Sequence, residues 1–131
     1  MRYLHTLLFI ILATFTISVA NATEPETGLT RYYIMLTSSE RPGMTKNSGA
    51  RIDVSEAVAA KAGLSTQDIT NLRKYRFPSP IDAMNFLSPY GWHLAQVYTT
   101  AQTGGLVTVN WVIYKDVKNP LELSEGLSLE D

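Results

Sequence analysis

Ser79-Pro80-Ile81-Asp82-Ala83-Met84-Asn85-Phe86-Leu87-Ser88-Pro89-Tyr90-Gly91-Trp92 is the stretch that decides the fold. Ser79 is a helix cap, and Pro80 takes the first helical position, where its missing N–H costs nothing. Asp82 falls at the third position, which completes a capping box and sets a negative charge against the positive helix end. Pro89 restricts Ser88, so the helix ends near Leu87, and Ser88-Pro89-Tyr90-Gly91 has the residue preferences of a type I turn. The helix is therefore about two turns long, ~12 Å. Ala83, Met84 and Leu87, with Ile81 and Phe86 at the margins, form a broad apolar stripe that needs a sheet beneath it.

C-terminal to this stretch, Trp92 to Ala101 and Leu106 to Lys115 are two long β-prone runs joined through Gly104-Gly105, a hairpin pattern. A two-residue Gly-Gly loop sets Tyr98 opposite Trp111 and turns Trp92, Leu94, Val107, Val109 and Ile113 toward the helix. His93, Ala95, Val97, Thr99, Asn110, Val112 and Tyr114 then share the other face. A three-residue loop sets Val97 opposite Trp111 instead and reassigns the faces. The first register gathers the large groups together and is the expectation here.

N-terminal to it, Arg31-Tyr32-Tyr33-Ile34-Met35-Leu36-Thr37 is apolar on both of its faces, the pattern of a central strand. Residues 38–49 carry loop chemistry, and Arg51-Ile52-Asp53-Val54-Ser55 alternates as a short second strand. In the segment 55–76, Ser55 caps a run of good helix formers that Gly63 stops. Ser65 with Asp68 repeats a capping signal, and both helices are short. Arg73-Lys74-Tyr75-Arg76 is a basic cluster, read first as a solvated stretch and second as an anion site. The expected fold class is α+β: a small antiparallel sheet of about four strands (β-β-α-β-β), one main helix on one face, and a short helical insert.

Tyr33-Ile34-Met35-Leu36, Phe77-Pro78-Ser79 leading into Asp82-Ala83-Met84-Asn85-Phe86-Leu87, Gly91-Trp92 before a strand, and Trp111-Val112-Ile113-Tyr114-Lys115 together resemble a family of small bacterial proteins of unknown function. That family has a helix with an Asp-Ala-Leu-Asn core, a Gly-Trp-Glu strand start and a closing Trp-hydrophobic-Lys strand. The resemblance implies a β-β-α-β-β domain. His93 stands here for the usual Glu and Met84 for the usual Leu, and the segment from Ala57 to Leu72 departs from the pattern. Every matched residue caps, turns or packs, so the resemblance implies a fold and no catalytic residue.

At the N-terminus, Arg2, the apolar run from Leu7 to about Val19 and the small residues Ala20-Asn21-Ala22 read as a secretory signal peptide over residues 1–22. Thr14, Thr16 and Ser18 interrupt the run, which falls short of the roughly 20 apolar residues of a membrane span. The expected product is exported, periplasmic or extracellular, with no membrane span after cleavage. Residues 23–30 form a flexible lead-in, 31–116 the α+β domain, and 117–131 an acidic tail expected to be disordered. With no cysteine in 131 residues there is no disulfide framework, so the core alone must hold the fold. Without Arg2, 10 basic residues face 12 acidic ones, a balance that implies no nucleic-acid surface.

Chemistry finds little purchase on this scaffold. There is no cysteine nucleophile and no Gly-x-Ser-x-Gly elbow, and His93 is the sole histidine after residue 22. Asp53, Glu56, Asp68 and Asp82 lack metal-ligand spacing. No cofactor, metal or catalytic residue is assigned, and a binding module is the better expectation than an enzyme. Val97, Val112 and Tyr114 are the candidate binding residues, on a sheet face without a helix, for a protein partner or a second copy. Glycan recognition by exposed tyrosines and a small carboxylate-dependent hydrolase are the alternatives. Two or three coplanar rings in an exposed row would favour glycan, a contiguous apolar patch protein, and two carboxylates across a pocket an enzyme.

Overall fold

The computed structural model describes residues 23–40 and 49–129, so the expected signal peptide lies outside the described residues. The order is β1 (Thr30–Glu40), β2 (Ala50–Asp53), α1 (Glu56–Ala62), α2 (Thr66–Lys74), α3 (Pro80–Leu87), a 3-10 turn at Ser88–Tyr90, β3 (His93–Ala101), β4 (Val107–Val117) and a second 3-10 turn at Pro120–Ser124. The four strands form one antiparallel sheet in the order β2-β1-β4-β3. The result is the expected small α+β domain, with β1 interior to the sheet as its two-sided apolar pattern requires.

Local chemistry sets the helices where the sequence places them. Ser55 Oγ accepts from the Val58 N–H, and the left-handed Gly63 closes α1 by donating to the carbonyls of Ala59 and Ala60. Ser65 and Asp68 form a full capping box at the start of α2. At α3 the Ser79 Oγ accepts from the Asp82 N–H at 3.2 Å and donates to Asp82 Oδ2 at 2.7 Å, a hydroxyl–carboxylate variant of the expected box.

All three helices lie on one face of the sheet. Ile34 and Leu36 of β1, Ile52 of β2 and Ile113 of β4 meet Ala62, Leu72, Ala83 and Leu87 from the helices, with Trp92 1% exposed among them. Ala59, Ala62 and Ala83 are small enough to bring the helices close onto the strands. At the outer edge of β2, Ala50 and Phe77 exchange two backbone hydrogen bonds of 2.8 and 2.9 Å, which blocks that edge at its first residue. The approach is so tight that a Cβ on Gly49 would lie 2.7 Å from the Phe77 carbonyl oxygen, so only glycine fits there.

Two expectations are corrected. The hairpin runs in the three-residue register: Gln102 N–H donates to the Leu106 carbonyl at 2.8 Å around Thr103-Gly104-Gly105, and Val97, not Tyr98, lies opposite Trp111. A bulge at Ala95 then shifts the ladder by one residue, so Leu94 pairs with Ile113 and His93 with Tyr114. An unbroken ladder cannot hold both Trp92 and Val97 on the helix side, and the bulge lets it do so. Val97 and Thr99 therefore leave the helix-free face, and Tyr98 joins it.

The second correction concerns the acidic tail. Asn119 Oδ1 accepts from the Leu121 N–H at 3.0 Å, and Glu122 Oε2 accepts from the Asn119 N–H at 3.1 Å, so the turn from Pro120 is boxed like a helix start. Leu123 and Leu127 are fully buried against the core, and Asn71 donates to the Leu129 carbonyl at 2.8 Å. Lys115, on the helix side of β4, donates to the Glu122 carbonyl at 2.8 Å and lies 3.7 Å from Glu125. The domain thus extends through residue 129, because apolar burial at Leu123 and Leu127 outweighs the repulsion of a few exposed acidic groups.

Candidate functional site

The face opposite the helices presents four rows across the sheet. Period-two alternation puts Arg31, Tyr33, Met35 and Thr37 of β1 on this side. The register sets beside them Asp116, Tyr114, Val112 and Asn110 of β4, and His93, Gln96 and Tyr98 of β3. Asp53 and Arg51 of β2 complete the rows of Met35 and Thr37. No helix of the described residues covers these side chains, and Tyr33 is 50% exposed.

The first row is an ion pair. Arg31 Nε donates to Asp116 Oδ1 at 2.7 Å and Nη2 to Oδ2 at 2.9 Å, a bidentate fork. The guanidinium lies 4.0 Å from the Tyr114 ring centroid. Hydrogen bonding from Arg31 holds the Asp116 carboxyl below its ordinary range, against an opposing push from partial burial, and the same bond raises Arg31.

The second row is aromatic: Tyr33, Tyr114 and His93, with centroids 6.3 Å apart at 56° and 5.4 Å apart at 33°. The third is apolar at its centre, where Met35 and Val112 are neighbours and Met35 accepts a 3.8 Å hydrogen bond from the Tyr98 hydroxyl. A shallow hollow of about 350 Å³ opens here, lined by Tyr33, Ile34, Met35, Asp53, Val54, Ser55 and Val112. The fourth row is polar and internally paired. Thr37 and Arg51 both donate to Asp53, at 2.9 and 3.1 Å, and Asn110 donates to Thr100 at 2.8 Å.

The structure thus brings Val112 and Tyr114 together and puts Val97 on the reverse side, 45% exposed at the sheet edge. Tyr33, Met35 and Tyr98 belong with the first two and were not singled out as binding residues. The signal for Tyr33 and Met35 was present in the doubly apolar pattern of β1. Tyr98 was hidden by the register. Tyr75 and Tyr90 are exposed on the helix side in a chain of edge-on and tilted rings through Phe77 and Phe86, with successive centroids at 4.8, 5.4 and 5.9 Å. In neither group are the rings coplanar.

A second hollow of about 700 Å³ flanks the ion pair, lined by Thr23, Glu24, Glu26, Leu29, Arg31, His93, Tyr114 and Asp116. Its acid Asp116 is engaged by Arg31, and Glu24 and Glu26 are exposed. The two carboxyls with shifted titration, Asp116 and Asp68, are both held toward the charged form, opposite to what a general acid needs; for Asp68 the cause is hydrogen bonding from Ser65. Among the described residues no three His, Cys, Asp or Glu side chains gather as a metal site, and no helix is long and apolar enough to cross a membrane. Comparison with family models, with curated proteins and with solved structures finds no match.

Proposed function

We propose that the chain is an exported binding module, released by cleavage after Ala22, that engages a protein partner through the helix-free face of its sheet. The observation that carries this reading is the placement of all three helices on one side. It leaves Tyr33, Met35, Val112 and Tyr114 contiguous and uncovered on the other. Around this patch Arg31 is paired with Asp116, Thr37 with Asp53 and Asn110 with Thr100, so a partner meets an apolar centre with a rim partly satisfied within the sheet. The tilted rings favour a protein surface over the stacked planes of a sugar. The aromatic chain on the helix side is the weaker candidate, since Phe77 is buried in the core and Tyr90 packs against Gly126.

Affinity capture from envelope extract, read by mass spectrometry, tests the reading with three baits. A partner held by the wild type is expected to be lost with Val112→Lys and kept with Ile81→Lys, which places the same charge on the exposed side of α3. Capture that survives Val112→Lys, or no capture by the wild type, overturns it. Intact mass of the recovered protein tests export, with a chain starting at Thr23 as the expected result.

A further inference from the structure

We propose that β3 pairs antiparallel with β3 of a second copy, joining two sheets edge to edge into one eight-stranded sheet. This goes beyond the partner reading and does not depend on it. The sheet has two outer edges, and they are unlike. That of β2 is four residues long and is blocked at its first residue by the Ala50–Phe77 bridge. That of β3 is nine residues long, and eight of its nine residues are exposed.

Natural edge strands carry lysine, proline or inward charge to prevent pairing, or they are short or bulged. From Gln96 to Ala101, Gln-Val-Tyr-Thr-Thr-Ala contains no charge, no proline and no glycine. The bulge at Ala95 protects only the start of the strand. Gln102 N–H points inward to Leu106, and the antiparallel alternation then turns Thr100 and Tyr98 toward β4 and leaves the N–H and C=O groups of Val97, Thr99 and Ala101 pointing outward.

The occupant follows from these two edges. Head-to-tail growth would need β3 to meet the edge of β2, which is four residues long and blocked at Ala50 by Phe77, too little to pair with three outward residues of β3, so a copy adds through its own β3 and the assembly closes as a two-fold dimer. An uncharged strand carries no like-charge penalty against itself. The register that uses every outward group centres the axis on Thr99, pairs Val97 with Ala101 across it, and forms about six interchain hydrogen bonds. Val97, 45% exposed on the helix side, and Tyr98, 41% exposed on the other, then gain cover on both faces of the new sheet.

Sedimentation of the processed protein over a concentration series tests this, with Thr99→Pro and Thr99→Cys as variants. Proline at 99 removes an outward donor and spares the β4 ladder, so the dimer is expected to become a monomer with unchanged far-UV circular dichroism. The absence of native cysteine makes the second variant clean. Opposed strand residues near the axis sit about 5.5 Å apart at Cα, within disulfide reach, so Thr99→Cys is expected to give a covalent dimer on oxidation. A wild type that is monomeric throughout overturns the proposal. So does a dimer in which Thr99→Cys fails to cross-link, or one that dissociates with Val112→Lys and not with Thr99→Pro. Capture of a partner by the monomeric Thr99→Pro variant separates the fate of the face from that of the edge.

Discussion

The two faces of this sheet are made by the same strands with the same alternation, yet they solve the burial problem differently. On the helix side, Ile34, Leu36, Ile52 and Ile113 are closed over by three short helices and by the C-terminal segment. On the bare side, each row is completed within the sheet: Arg31 with Asp116, Tyr33 with Tyr114, and Thr37 and Arg51 with Asp53. The first face needs its cover, because removing it would expose large aliphatic groups. The second can face water and still offer an apolar centre. Stability is thus carried by the covered side of the layer and the proposed recognition by the bare side, and substitutions should separate them.

The strongest test of that separation is Trp92→Ala, expected to cost about 3–5 kcal/mol in denaturant unfolding. The Trp92 Nε1–H is buried without an acceptor among the described residues, so Trp92→Phe should cost less than the alanine change. Next comes Leu123→Ala, with an expected loss of about 2–5 kcal/mol, since this residue of the acidic segment is fully buried. An unchanged midpoint would return the segment to the status of a solvated tail. Ser79→Ala removes the cap of α3 and should cost about 0.5–2 kcal/mol, measured the same way.

On the bare face the effects on folding should be smaller. Val112→Lys is expected to lower stability by no more than about 1 kcal/mol while abolishing partner capture; a larger loss would make this face part of the core. The smallest effect concerns pH. Asp116 titrates lower folded than unfolded, so its contribution is complete above about pH 4, the ordinary carboxylate value, and is lost as pH falls through the lower folded value. Asp116→Asn should flatten that acid limb in melting experiments and lower stability at neutral pH. An acid limb identical to the wild type would show that the Arg31 fork contributes nothing in solution.

What was legible in the chain was local. The caps at Ser55, Ser65 and Ser79, the stop at Gly63 and the turn at Pro89 rest on hydrogen bonds between groups within four residues of each other. The hairpin register was not local, because the Ala95 bulge is set by how Trp92 and Val97 pack over the sheet and not by the glycine loop. Of the three candidate binding residues, this moved Val97 to the other side. The C-terminal turn was readable in principle. Asn119-Pro120 with Glu122 uses the same grammar as Ser79-Pro80 with Asp82, and Leu123 and Leu127 are one helical spacing apart. Charge in that segment concealed it.

The long pairing of β1 with β4 also has a consequence in time. Arg31 meets Asp116, 85 positions later, and the interior strand cannot find its neighbour until that part of the chain exists. At roughly 5–20 residues per second, synthesis leaves β1 waiting some 4–17 s for β4, and longer for the leucines that seal the core beyond it. Until then the short helices lack the completed sheet they pack on, and helices of this length are marginal alone. Folding therefore waits for the chain through Leu127, and a chain cut before that residue should be found by proteases.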